Sequence, residues 1–367
     1  MRPRLLILTP DFPPDHGGVQ VHVHRLAREM TGFHTLVLTP GTEGARSFDM
    51  TSGIVTRRCA TSISSKKARA ATLNALTLPT ALRFRPDVTL SAHAITSPAT
   101  ALLHRVLPTR TAQQFYAVEI LGKPRLCAFA ARQADLVIAI STHTASLIAA
   151  VGAAPARLRV IPPGVDPPRP ARDEAPAETR GRRRTVVTVA NMHHSYKGHD
   201  VLVEAVSQAL THVPDLEWVV IGDGPLRPGI EDLACQLRAS GHARFLGAVS
   251  DEVRNHWLAR ADVFAMPSRF GGEGFGIAYL EAGAHRVPVV AGNAGGTPEA
   301  VIDGVSGLLV DPTRTAAVAD AITRLLLDRQ LALQLGEGGA RRAASRTWPA
   351  VARQVEDSLM ELLDHPR

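Results

Sequence analysis

The sequence predicts an α/β protein built from two Rossmann-like halves, each a parallel sheet flanked by helices. Three observations carry this. Short apolar runs alternate with longer segments of helical period along the chain. The turns after those runs are rich in Gly and Pro, which number 29 and 26 among 367 residues. The alternation stops at a proline-rich stretch near the middle and then begins again. A chain of this length also exceeds the roughly 250–300 residues that one core serves.

In the first half, Arg4–Thr9 reads as a buried strand, followed by a Pro/Gly loop and a helix. The helix is carried by Val19, Val23, Leu26, Ala27 and Met30, which recur at helical spacing. Further strands are expected at Thr35–Thr39, Val88–Ser91, Gln113–Tyr116, Leu136–Ile140 and Leu158–Ile161, with Ser141 placed to N-cap a helix. Asp166–Arg184 is prolines, six arginines and four acids without a period, a linker signature. The second series has strands at Thr185–Ala190, Trp218–Ile221, Ala243–Leu246, Val263–Met266, Val287–Ala291 and Gly307–Val310. Its helices are expected at Asp200–Leu210, Leu226–Ser240, Asp251–Ala261, Phe275–Ala284, Thr297–Ile302 and Thr315–Leu335. The expected division is 1–165, a linker 166–184, 185–345, and a terminal helix 346–367, with a ligand cleft between the halves.

Composition excludes several classes. At 45% hydrophobic and 20% charged residues the chain is not disordered. Cys59, Cys127 and Cys235 are too few and too scattered for a disulfide framework or a zinc site. No apolar run is long enough for a signal peptide core or a membrane span, so a cytoplasmic protein is expected. The net charge of +7 comes with only 4% aromatics and no basic helix carrying stacking residues, which argues against nucleic acid. Neither His22 with His24 nor His193 with His194 has the i, i+4 spacing of a helical metal pair. Only four lysines occur, Lys66, Lys67, Lys123 and Lys197. Lys66, Lys67 and Arg69 with Leu73, Leu76, Leu78, Leu82 and Arg83 fit either a basic amphipathic surface for acidic lipid or a helix packed on the sheet.

In a parallel sheet the loops after strands face the ligand. After the first strand, Gly17-Gly18 opens a helix, leaving bare N–H groups where the macrodipole favours an anion by about 0.3–2 kcal/mol. Asn191 to Gly198 follows Thr185–Ala190 and carries Lys197, a compact charge suited to phosphate. Gly222-Asp223-Gly224-Pro225 is a tight turn that admits close approach of a ligand. The densest loop runs from Pro267 to Ala282. Glu273 is placed there for sugar hydroxyls, the amides of Gly274, Phe275, Gly276 and Ile277 for phosphate, and Glu281 for a ribose diol. Finally Gly295-Gly296 is expected to expose backbone to the cleft, with Thr297 as N-cap and Pro298 at N1.

Together these loops resemble the retaining nucleotide-sugar glycosyltransferases of family 4, which have the GT-B fold. The likeness is strongest over Asp262–Pro312: Glu273-x7-Glu281, Val287-Pro288-Val289-Val290, Gly295-Gly296-Thr297-Pro298-Glu299 and Asp303-Gly304-Val305-Ser306-Gly307 stand in family order. Ile161-Pro162-Pro163-Gly164-Val165-Asp166, Tyr196-Lys197-Gly198 and the helix from Trp348 extend it. The glutamate segment looks most like the bacterial phosphatidylinositol mannosyltransferase group. The resemblance implies GT-B domains facing across a cleft, with the C-terminal helix crossing back to the first. It implies transfer of a hexosyl group from GDP-mannose or a UDP-sugar to a hydroxyl of a lipid, glycan or small metabolite. It implies no metal and no cofactor beyond that co-substrate, in a monomer or homodimer, with peripheral contact to the inner membrane face left open. Carried over, Gly18 lies beside the donor diphosphate, Lys197 neutralises it, Glu273 holds a sugar hydroxyl, and backbone around Gly247 and Val249 meets the base. Two positions depart from the pattern. Asn191 stands where the family has an arginine, a loss of about 1.5–3 kcal/mol of charge-assisted contact, with His194 a basic candidate to replace it. Tyr116-Ala117-Val118-Glu119 stands where the family has a histidine segment, so Tyr116 can donate to a sugar but not serve as a cation. These departures sustain an alternative, a silent or atypical protein that binds a sugar nucleotide.

Overall fold

The computed structural model describes residues 2–15, 17–59, 65–168 and 183–364. The interior of the expected linker, 169–182, lies outside the described residues, as do the side chain of Lys66 and all of His16. Two compact units are present: Met1–Gly164 with Trp348–Arg367, and Val165–Thr347.

The first unit holds a seven-stranded sheet of β1 (Arg4–Leu8), β2 (His34–Pro40), β3 (Thr56–Cys59), β4 (Val88–Ser91), β5 (Arg110–Phe115), β6 (Leu136–Ala139) and β7 (Leu158–Val160), in the order β3-β2-β1-β4-β5-β6-β7. All its pairings are parallel. The apolar runs are strands because both faces are covered. Leu5, Ile7, Val37 and Val88 pack on one side with Val23 and Leu26 of the helix Gly18–Glu29. Val351, Ala352, Val355, Leu359 and Leu362 of the terminal helix Trp348–Asp364 complete that layer. Leu6, Leu8 and Leu38 pack on the other face, with Leu73 and, partly buried, Leu76 and Leu78 of the helix Lys66–Phe84. Of the leucines considered for lipid contact only Leu82 is exposed. The sheet therefore takes most of the apolar stripe, the packed alternative.

The second unit holds six parallel strands, β8 (Arg184–Val189), β9 (Leu216–Ile221), β10 (Ala243–Gly247), β11 (Val263–Met266), β12 (Val289–Gly292) and β13 (Leu308–Val310). Their order is β10-β9-β8-β11-β12-β13. Both sheets thus reverse their winding beside their first strand, at β1/β4 and at β8/β11. Such switch points part the following loops and open a crevice at the strands' carboxyl ends.

Several expected elements are redrawn. Leu226–Ser240 divides into Arg227–Leu233 and Cys235–Ala239. Thr315–Leu335 divides into Thr315–Leu327 and Arg329–Ala344, because Asp328 caps the second helix by accepting the Leu331 N–H at 3.0 Å. The helix expected from Phe275 begins at Ile277, and Thr297 is the first helical residue after Gly296 rather than the cap. Ser141 does cap Thr142–Ala150, accepting the Thr144 N–H at 2.9 Å. Ser141→Ala is expected to cost about 0.5–2 kcal/mol, read as a lower urea midpoint at unchanged slope.

Candidate active site

The site of the second unit gathers around its switch point. After β8 the chain forms a short 3-10 turn, Ser195–Lys197, and after β11 an irregular loop leads to the helix Ile277–Ala284. Gly198, at φ +77°, is held so close to Pro267 that a Cβ would strike its backbone oxygen, which ties the two loops together. That contact brings Lys197 Nζ to 2.5 Å from Glu273 Oε2, with both side chains almost buried. Ser268 Oγ donates weakly to the same oxygen at 3.5 Å. Tyr196 lies under the ammonium at 5.1 Å, and its ring packs on Gly272. Burial by itself disfavours the charged lysine, but Glu273 and Tyr196 outweigh it and raise the Lys197 pKa above its ordinary value. Lys197 is thus a fixed buried cation, not a solvated loop lysine.

Beyond Glu273, the N–H groups of Gly274, Phe275, Gly276 and Ile277 donate to no acceptor among the described residues. Four consecutive bare amides at a helix start make a site for anionic oxygen. The Gly295-Gly296 pair supports this loop instead of opening to solvent. The Gly296 N–H donates to Glu273 O at 2.8 Å, and a Cβ on Gly296 would strike the carbonyl of Gly274. Expected exposure of that pair is therefore corrected to backbone-on-backbone packing. Arg346 lies over the buried Phe275 ring at 5.7 Å, backing the loop from the other side.

The remaining expected residues are spread more widely. Glu281 is ion-paired to Arg254 at 3.4 Å, so a ribose would share it with a guanidinium. Asn191 is exposed, its Oδ1 accepting the His193 N–H at 3.4 Å. His194 stacks on Tyr196 at 5.6 Å. Val249 is half-buried after β10. Gly247, at φ +72°, lies against Arg227, which pairs with Asp223 at 3.0 Å and Glu231 at 2.5 Å. Arg227 is a cation the sequence reading passed over, although it stands two residues beyond the Gly222–Pro225 turn.

In the first unit, the N–H groups of Gly18, Val19 and Gln20 start their helix with no described acceptor, and Gly17 is its cap. Tyr116 follows β5 as the cap residue of the helix Ala117–Gly122, its hydroxyl buried and without a partner among the described residues. Its ring meets His22 edge-on at 5.7 Å, so the phenol stands in the core where a donor to a sugar was expected. Burial lowers the pKa of His22 to about 3 and of His199 to about 4, with Lys197 adding to the latter. Both rings stay neutral when folded but take protons near pH 6.5 when unfolded. Unfolding therefore binds protons between those values, so stability is full above about pH 6.5 and falls as pH drops toward 4. A urea midpoint lower at about pH 4.5 than at about pH 7 checks this sign.

Residues 16–169 match the model described as Glycosyltransferase Family 4, and residues 183–328 match Glycosyl transferases group 1. A GDP-mannose-dependent alpha-(1-6)-phosphatidylinositol monomannoside mannosyltransferase of Mycolicibacterium smegmatis is 33% identical over 99% of each chain. The chain belongs to glycosyltransferase family 4. Its two units have the GT-B fold. The sucrose-phosphate synthase of Thermosynechococcus elongatus superposes with a TM-score of 0.87 at 21% identity, covering 99% of this chain and 100% of that one. Anabaena HepE in complex with UDP-glucose gives 0.83 at 20% identity, covering 98% and 99%. Among the described residues of this glycosyltransferase no helix is long and apolar enough to cross a membrane.

Proposed function

We propose that this glycosyltransferase moves mannose from GDP-mannose to a hydroxyl of an inositol-containing lipid glycoside, with retention at the anomeric carbon and without a resident metal. The observation that carries this is the buried Lys197–Glu273 pair beside four bare amides, in a chain 33% identical throughout to a mannosyltransferase of that kind. The costly event is departure of a diphosphate while an oxocarbenium-like sugar forms. The bond from C1 to the phosphate oxygen breaks, C1 joins the acceptor oxygen on the same face, and the hydroxyl proton leaves with the diphosphate. Lys197 and the amides of Gly274 to Ile277 stabilise the charge growing on the leaving oxygen, and being fixed they need no reorganisation. Glu273 keeps Lys197 charged and in place and offers its free oxygen to a sugar hydroxyl.

A thermal-shift panel of GDP-, UDP-, ADP- and dTDP-sugars tests the donor. At 100 times its Kd the right donor adds about 2.7 kcal/mol of stability, so GDP-mannose should stand apart from the others. Equal shifts for all four nucleotides, or none, would count against the donor assignment. The buried Tyr116 hydroxyl and the uncharged Asn191 favour a second reading, a protein that binds the nucleotide sugar without turning it over. Slow hydrolysis of GDP-mannose without acceptor separates an active enzyme from that silent one.

A further inference from the structure

The first sheet carries a titratable cluster that the donor site does not use. His93 follows β4 and Asp11 follows β1, the two strands at which that sheet reverses. Glu119 is buried in the short helix Ala117–Gly122 after β5. Its Oε1 accepts the Tyr116 N–H at 3.1 Å, and its Oε2 accepts the Ala94 N–H at 2.8 Å. The same Oε2 stands 3.1 Å from His93 Nδ1. His93 Nδ1 also accepts the Ile95 N–H at 3.1 Å, which requires a lone pair on that nitrogen. The Ile95 N–H and Glu119 can both donate to that nitrogen, sharing its single lone pair, when the proton between His93 and Glu119 resides on the carboxyl. The imidazole is then neutral, its N–H is on Nε2, and Nε2 bonds to no described residue. The side chain is mostly covered and keeps 17% of its surface exposed, at the carboxyl end of β4.

We infer that His93 binds the acceptor: Glu119 locks the Nε2–H tautomer, and that N–H donates to a hydroxyl oxygen of a polyol. The acceptor class rests on the function proposed above. A hydroxyl both gives and takes a hydrogen bond, so an N–H with the Asp11 carboxylate nearby suits it. A phosphate there would meet the Asp11 charge.

The charged groups acting on His93 are Asp11 from the loop after β1, and Glu119 and Lys123 from the segment beyond β5. Burial lowers the His93 pKa to about 4, with Asp11 opposing and Lys123 assisting. Burial raises that of Glu119 to about 8, against the hydrogen bonds from Ala94 and Tyr116 and the charge of Lys123. Between these values the pair holds one proton in excess of a bare carboxylate and a neutral ring. Above about pH 8 the carboxylate draws the ring proton to Nδ1, and Nε2 turns from donor to acceptor.

Ring 15N shifts of the full chain labelled with [15N]histidine test the tautomer, the His93 signal being the one missing from His93→Gln or, should that variant not fold, His93→Phe. Near pH 6.5 a protonated Nε2 and a bare Nδ1 are expected, exchanging roles around pH 8. An imidazolium near pH 6.5, or a proton on Nδ1, overturns the proposal. With GDP-mannose and phosphatidylinositol monomannoside in mixed micelles, His93→Phe should raise the acceptor KM about tenfold and leave the GDP-mannose KM unchanged. His93→Gln, whose amide N–H occupies the place of Nε2–H, should restore most of it. Equal losses in the two variants, or a changed donor KM, overturn the acceptor contact. A wild-type enzyme that binds GDP-mannose but transfers nothing to this acceptor refutes the acceptor class instead. The contact is then decided by myo-inositol as probe: a shift of the Nε2 signal on its addition supports it, and none overturns it.

Discussion

Glu273→Ala is expected to abolish measurable transfer, and Lys197→Ala to lower kcat by about 10²–10³, the usual loss when a fixed stabiliser of transition-state charge is removed. The two side chains act as one unit, separated by 2.5 Å and nearly sealed from water. Removing either leaves a buried charge without its partner, which costs about 3–5 kcal/mol in such settings. Each single variant should therefore melt earlier as well as react slowly. The double variant should lose little more activity than the worse single one, because neither group works alone. Steady-state transfer from GDP-mannose and thermal melts of all four proteins provide the cycle. Full activity in Glu273→Ala would remove this pair from the reaction.

Gly296→Ala should disturb the amide-bearing loop directly. The added carbon falls against the carbonyl of Gly274, a backbone atom that cannot swing aside as a side chain would. Relieving the clash moves the loop that bears the four bare amides. A loss of about 1–3 kcal/mol of stability is expected from overpacking, with donor affinity weakened about tenfold or more as the amides lose alignment. Gly229→Ala is the control, since a Cβ there meets nothing within 4 Å. Comparable donor affinity in the two variants, by calorimetry, would show that the glycine pair does not set the amides.

The sheets were legible in the sequence because buried parallel strands are continuous apolar runs. Where that signal fades, elements were missed. β3 is Thr-Arg-Arg-Cys at the sheet edge with only Cys59 buried, and the helix Ala45–Ser52 buries only Ala45. Neither presents a period to read. The donor residues were legible one at a time, from glycines and charges after strands. Their pairing was not, because 76 residues separate Lys197 from Glu273 and only the adjacency of β8 and β11 joins them. His93 and Glu119 escaped for the same reason, meeting across β4 and β5. The burial of the Tyr116 hydroxyl follows from His22 and Trp348, whose rings meet at 5.4 Å from helices at opposite ends of the chain.

The placement of Trp348–Asp364 in the first unit's core sets an order of events during synthesis. Residues 165–347 are one uninterrupted stretch holding every strand of the second sheet, so that unit needs nothing made after it. The first unit begins earlier and ends later. Its layer beneath Val23 and Leu26 lacks Val351, Val355 and Leu359 until the helix Trp348–Asp364 has been made. The unit begun before the other is thus completed after it, and the nascent chain must carry an open apolar face while the whole second unit is made.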